Sequence, residues 1–293
     1  MTSERNINAP IRILLLGSDT MVGVALLAFA EGLNEFHWHT LNCAELLHDH
    51  ADGLLLADYD CDVIIDALSI DRPLDPHYPM FRQAVADVAQ TKNRQVLMIS
   101  SALVFSGNKE TAYEETDEPD GQEDYASALV ATETLLLQQP QNIVLRTGWL
   151  FSGTHDDFVY RTIALIKQGV NLAYDDNCVG SPSPASDLAR VSLSMIKQHY
   201  YGANNTGIYH YCCAEEVSWF GFVESILATT GQFDAATPVS VEAINEFFPD
   251  STEVTHIKRQ SLSCKKIFNH FGVKQRPWRA SLRKLVKKLY QPS

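Results

Sequence analysis

The run IRILLLG at residues 11–17 passes directly into a helical pattern, MVGVALLAFAEGL, and this pairing of apolar run and helix recurs along the first half of the chain. A strand covered on both faces reads as a continuous apolar run, whereas a half-exposed strand alternates. FHWHTLN follows, then DVIIDAL, a helix through FRQAVADVAQ, the strand QVLMISS, a helix opening at Tyr125 and the strand NIVLRTGWLF. Parallel strands need crossover connections of about this length. The economical solution is an α/β fold with a doubly wound parallel sheet. Beyond Phe151 the alternation weakens. Helical patterns there (FVYRTIALIKQG, DLARVSLSMIKQHY, WFGFVESILATTG) are joined by loops rich in Gly, Pro and Asp. The chain is therefore read as residues 1–152, carrying the sheet, and residues 153–293, mainly a smaller, partly interleaved lobe with some segments returning to the first.

Composition narrows the classes further. A hydrophobic share of 45% over 293 residues fills a real core. No apolar run reaches the roughly 18 to 20 residues a bilayer span requires, and MTSERNINAP lacks the basic-then-apolar order of a secretory signal, so the expectation is a cytoplasmic protein without a membrane span. The six cysteines (Cys43, Cys61, Cys178, Cys212, Cys213, Cys264) show no CxxC spacing and are expected to be reduced. Charge is uneven. Eleven of the 23 Lys and Arg fall between Lys258 and Lys288, and no acid follows Glu253. The ending WRASLRKLVKKLY sets Trp278, Leu282, Leu285 and Leu289 on one stripe with the basic residues mostly elsewhere, which reads as a helix docked on an acidic body; no nucleic-acid partner is expected. His37-Trp38-His39 and His48-Asp49-His50 place imidazoles on shared faces. No further ligands lie at familiar spacing, so no metal is expected and the histidines read as surface or strand-edge residues.

The first strand and helix are joined by Gly17-Ser-Asp-Thr-Met-Val-Gly23. A helix N-terminus in this position is a ready anion site, with Gly17 permitting the tight turn and Gly23 close helix packing. The middle position of a GxxGxxG loop is Thr20, which puts a Cβ and a hydroxyl where backbone normally approaches a phosphate. Asp19, Met21 and Val22 complete the loop.

The segments QVLMISSALVFSG, YEETDEPDGQEDYASALVATETLLL, IVLRTGWLF, DDNCVGSPSPASDLARV, GIYHYCCAEEVSWFGFVESIL and KRQSLSCKKIFNHFGVKQRPWRASLRKLV follow one another in an order that resembles the dTDP-4-dehydrorhamnose reductase-like family. These are extended short-chain dehydrogenases/reductases with an NAD(P)-binding Rossmann fold. The resemblance spans nearly the whole chain and implies that residues 1–152 bind a dinucleotide and residues 153–293 mainly a nucleotide sugar. It carries the carbonyl-binding role onto Ser101 and the acid/base role onto Tyr125. The lysine that belongs one helical turn later is Leu129. A cation there lowers the phenol pKa from about 10 by roughly 1 to 3 units and binds the nicotinamide ribose; leucine does neither.

Three other departures fall on positions that the resemblance places beside cofactor or substrate. Thr20 is one. Asp66-Ala67-Leu68 stands for an Asn-Ala-Ala segment along the cofactor, and Ala102-Leu103 stands for polar residues near the substrate. Trp149, Asn177 and Ser181 lie in well-kept motifs that line the nucleotide-sugar side in relatives. After the second strand, Thr40-Leu41-Asn42 offers neither the carboxylate that favours NAD nor the base that favours NADP, so the form of the cofactor stays open and its binding is expected to be weakened. Two readings follow: a reductase of a nucleotide-linked keto-sugar, or a non-catalytic binding or regulatory subunit. The partners implied are a nucleotide-sugar-like small molecule and either a second copy of the chain or a regulatory partner.

Overall fold

A computed structural model describes residues 9–49, 56–154, 157–233, 239–245 and 257–290. In chain order its elements are β1 (Ile11–Leu16), α1 (Met21–Ala30), β2 (Phe36–Leu41), β3 (Val63–Asp66), α2 (Tyr78–Thr91), β4 (Gln95–Ser101), α3 (Asp124–Leu136) and β5 (Ile143–Thr147). There follow β6 (Leu150–Phe151), α4 (Phe158–Lys167), β7 (Leu172–Asp175), β8 (Val179–Gly180), β9 (Ser183–Pro184), α5 (Ala185–Tyr200) and β10 (Gly207–Tyr211). Last come β11 (Val217–Ser218), α6 (Trp219–Thr230), β12 (Val241–Ile244), α7 (Lys265–Phe271) and α8 (Trp278–Tyr290).

The central sheet has six strands in the order β10-β5-β4-β3-β1-β2. β1 pairs in parallel with β2 and β3, and β3 with β4. The predicted α/β fold with a parallel sheet is thus observed. From β1 the chain goes first to β2 on one side and then crosses to β3 on the other. That reversal opens a crevice at the carboxyl ends of β1 and β3, where ligands of such sheets bind.

The chain forms two compact units, one of residues 1–99, 131–144 and 189–207 and the other of residues 100–130, 145–188 and 208–293. In the first, Ile13 through Leu16 are wholly buried and all four β3 residues are inside, as continuous apolar strands require. Asn142 is a polar tie in this interior: its Oδ1 accepts from Val96 N at 2.8 Å, and its Nδ2 donates to Leu136 O at 2.8 Å. His37 and His39 pack ring to ring at 5.1 Å on β2, which ends the sheet. His50 lies outside the described residues, and among those described no group of His, Cys, Asp and Glu gathers to hold a metal.

The second unit is held by aromatic packing. Trp149 stacks on Trp219 at 3.7 Å, Phe158 and Phe222 close around them, and Trp278 meets Phe222 edge-on at 5.3 Å. Three small two-stranded sheets, β6 with β9, β7 with β12 and β8 with β11, frame this core. Trp278, Leu282 and Val286 of α8 are buried, with Leu285 and Leu289 packed beside them. Arg279 adds a 3.0 Å bond to Glu215. The basic terminal helix is therefore docked by its apolar stripe, and its charges face outward or pair locally. No described helix is long and apolar enough to cross a membrane. Trp278→Ala is expected to cost about 3–5 kcal/mol of stability through the cavity it leaves, read as a lower urea midpoint.

Candidate active site

The turn after β1 is built by backbone constraints. Gly17 adopts φ +82°, and a Cβ there would meet Leu68 N at 2.9 Å. At Gly23 a Cβ would lie 2.1 Å from Gly17 O, so the first turn of α1 rests directly on the loop it leaves. Gly17 N and Ser18 N both donate to Leu41 O at the end of β2, each at 2.9 Å. Thr20 is 4% exposed and caps α1. Its hydroxyl donates to Gly17 O at 2.7 Å and accepts from Gly23 N at 3.0 Å. The residue in the middle glycine's place thus folds its side chain into the loop. It satisfies one of the amides that a helix N-terminus leaves open. Met21 and Val22 form the rest of that first turn, which contains no acidic residue. Two of the three glycine functions of a pyrophosphate turn are present, at Gly17 and Gly23.

Asp19 is turned toward β2: its carboxylate accepts from Cys43 N at 2.8 Å. Burial raises its pKa, but hydrogen bonds from the Cys43 thiol and backbone outweigh that and hold it below the ordinary carboxylate value.

At the end of β3, Asp66 is 1% exposed. Its Oδ1 accepts from Leu68 N at 3.0 Å and Ser69 N at 2.9 Å, and its Oδ2 from the Ser69 hydroxyl. Ser69 in turn accepts from the Tyr78 hydroxyl at 2.5 Å, and Thr132 Oγ1 lies 3.1 Å from the same hydroxyl. This chain of polar groups holds Ala67 and Leu68 against Gly17. Sequence reasoning placed Asp66, Ala67 and Leu68 here but missed Ser69, Tyr78 and Thr132. The one available signal was Tyr78 itself, whose Arg four residues on imitates a Tyr-x-x-x-Lys motif; the structure buries it.

The second unit contains the expected catalytic pair. Ser101 ends β4 at 7% exposure, and its hydroxyl accepts from Leu103 N at 3.2 Å, capping a tight turn through Ala102 and Leu103. A Cβ on Gly121 would meet Leu103 O, Val104 O and the Ala126 Cβ, all within 2.9 Å. The start of α3, with Tyr125 as its second residue, thereby lies against the turn that follows Ser101. Tyr125 is partly exposed. Leu129, one turn along, is wholly buried. The lysine's place is occupied by core packing.

Farther along, Arg146 is buried with its guanidinium 5.1 Å from the Phe105 ring, and Phe105 stacks on Tyr113 at 4.1 Å. Burial, then the charge of Arg146, push His210 down to about 3, so this buried imidazole is neutral. Trp149 is 7% exposed and Gly180 is flat against it, since a Cβ there would meet the indole at 2.4 Å. Its Nε1 donates to Gln260 Oε1 at 2.9 Å. Trp149 is a wall rather than an open contact. Asn177 is exposed, and its Nδ2 donates to Asn245 Oδ1 at 3.0 Å. Ser181 lines a cavity of about 1030 Å³ together with Lys109, Cys213, Cys264 and Lys265; Ser101 and Tyr125 do not border it.

The parallel sheet with a glycine turn at its point of reversal defines a Rossmann-type fold. The chain belongs to the family of the RmlD substrate binding domain, whose profile matches residues 80–291. It is 29% identical over 214 residues to the dTDP-4-dehydrorhamnose reductase of Aggregatibacter actinomycetemcomitans, covering 69% of this chain and 70% of that one. It shares its fold with a dTDP-4-dehydrorhamnose reductase from Clostridium acetobutylicum (TM-score 0.81, 23% identity, 96% and 100% of the two chains). A Bacillus anthracis dTDP-4-dehydrorhamnose reductase in complex with NADP also matches (TM-score 0.77, 20% identity, 96% and 99%).

Burial pushes the Asp66 carboxyl above its ordinary value, against the pull of the Ser69 and Leu68 hydrogen bonds. A carboxyl raised in the folded state contributes stability below the unfolded pKa of about 4, and that contribution is lost as pH rises through the folded value. Asp66→Asn keeps the acceptor for Leu68 N and Ser69 N without the charge. Its melting temperature relative to the parent is expected to rise as the pH is raised above about 4 and to level off once the buried carboxyl is ionised in the parent.

Proposed function

We propose that this chain binds a nicotinamide dinucleotide at the Gly17–Gly23 turn and reduces a nucleotide-linked keto-sugar of the dTDP-4-dehydrorhamnose kind beside Ser101 and Tyr125. The observation that carries this reading is the seating of the Tyr125 end of α3 on the turn capped by Ser101. A reduced nicotinamide supplies hydride when bound. Ser101 Oγ already accepts from Leu103 N, which leaves its own proton to donate to a carbonyl oxygen. The Tyr125 hydroxyl donates the proton that the resulting alkoxide needs. Neither role requires a cation in the protonation step. Resetting the phenol and holding the ribose do, and Leu129 supplies nothing to either, so turnover is slow. Asp66, Ala67 and Leu68 border the dinucleotide, while Ala102, Leu103, Asn177 and Ser181 face the sugar side, with Trp149 behind them. The acidic Asp19 is held at the loop, and NADP and NAD both remain within the reading.

The burial of Leu129 favours a second reading, a non-catalytic binding or regulatory subunit that retains the ligand crevice and works in the cytoplasm as a homodimer or with a regulatory partner. The two readings separate cleanly by experiment. Titration with NADH and NADPH by fluorescence is expected to show binding under both. Loss of nicotinamide absorbance with a dTDP-keto-sugar is expected under the first alone, and Tyr125→Phe then lowers the rate by about 10² to 10⁴ without changing dinucleotide affinity. A parent that binds but never turns over, and that gains turnover as Leu129→Lys, establishes the second.

A further inference from the structure

Two of the chain's cysteines meet in the second unit, while the sulfur of a third, Cys213, turns to Asp187. Cys212 and Cys213 directly follow β10, and Cys264 directly precedes α7. Cys212 Sγ and Cys264 Sγ are 3.7 Å apart, and the Cys212 backbone N–H donates to Cys264 Sγ at 3.3 Å. Both thiols are buried, at 1% and 6% exposure. These sulfurs are already in van der Waals contact, the arrangement from which a disulfide of about 2.05 Å closes. We propose that Cys212 and Cys264 form an oxidation site, a dithiol that a hydroperoxide converts to a reversible disulfide.

Access and reactivity support the same pair. Cys264 stands on the wall of the cavity of about 1030 Å³, whose other lining includes Lys109, Lys265 and Lys274, so a small oxidant reaches the pair from solvent. The Cys264 thiol donates to the Cys212 sulfur, and the Ser181 hydroxyl adds to it; together they hold the Cys212 thiol below its ordinary value despite burial. A thiolate is the form that attacks peroxides. Cys43 is more exposed, but burial and then the Asp19 carboxylate push its thiol up to about 12, which suppresses that form.

The chemistry closes without a further reagent. One sulfur attacks a peroxide oxygen, the O–O bond breaks, and the departing oxygen leaves as water or alcohol after taking a proton. The sulfenic acid so formed is attacked by the second sulfur, the S–O bond breaks, and water leaves with the remaining thiol proton. Two thiols are oxidised and one peroxide is reduced. Oxidation also removes the thiol proton and charge that the Ser181 hydroxyl meets, and the Cys212 Cβ lies 3.6 Å from where a Cβ on Gly148 would stand. The effect on ligand binding at Ser181 rests on the function proposed above; the bond itself does not.

The test uses the intact reduced protein, treated with hydrogen peroxide, quenched, alkylated under denaturing conditions and mapped by mass spectrometry. The expected result is loss of two hydrogens, a Cys212–Cys264 cross-linked peptide, full reversal by dithiothreitol, and Cys43 still alkylated. Cys213→Ser retains the cross-link and Cys264→Ser loses it. Oxidation confined to Cys43, a cross-link through Cys213, or sulfinic acid at Cys212 without a cross-link overturns the proposal. Since the readout is covalent, it stands apart from whether the chain binds dinucleotide or reduces a sugar.

Discussion

The close approach of Gly23 to the carbonyl of Gly17 is the constraint from which the crevice between β1 and β3 follows. With a Cβ contact at 2.1 Å, no side chain fits between the helix and the loop it leaves. That approach aims α1 along the crevice between β1 and β3, and the Gly17 turn at φ +82° carries it against Leu68. Everything placed around the turn depends on it: the Thr20 cap, the Asp66 network behind Leu68, and the anchoring of Ser18 and Gly17 on Leu41.

Much of this was legible in the sequence for a simple reason. Continuous apolar runs such as IRILLL and VIID read as strands covered on both faces, and Gly17 and Gly23 are local signals. The docked stripe of α8 was equally plain, because its periodicity is long and unbroken. What escaped were partnerships between distant residues. Ser69, Tyr78 and Thr132 join Asp66 only after α2 and α3 have packed, and nothing near Asp66 in the chain announces them. The two sulfurs of Cys212 and Cys264 lie 52 residues apart in sequence, and no spacing rule links them.

Side-chain direction was the other blind spot. Thr20 read as a side chain standing where backbone should approach a phosphate, yet its hydroxyl is spent inside the loop on Gly17 and Gly23. The sequence specified the residue, while its rotamer was set by the unsatisfied amide at the helix start. Leu129 shows the same in reverse: the missing cation was evident, but only packing reveals that the position has become core. The departures at these two places are therefore unlike in kind. One is absorbed by local hydrogen bonding, and the other by apolar packing in the core.

Trp149 bears a different consequence. It is clasped by Trp219 on one face, meets the backbone of Gly180, and is tied at its indole nitrogen to Gln260. A ring fixed in this way has surrendered its rotamer freedom during folding, so a molecule settling nearby loses none on its account. The wall it forms is equally unable to yield to a larger guest. Asn177 is the opposite case: it is exposed, and its amide bond to Asn245 can be exchanged for another of similar strength.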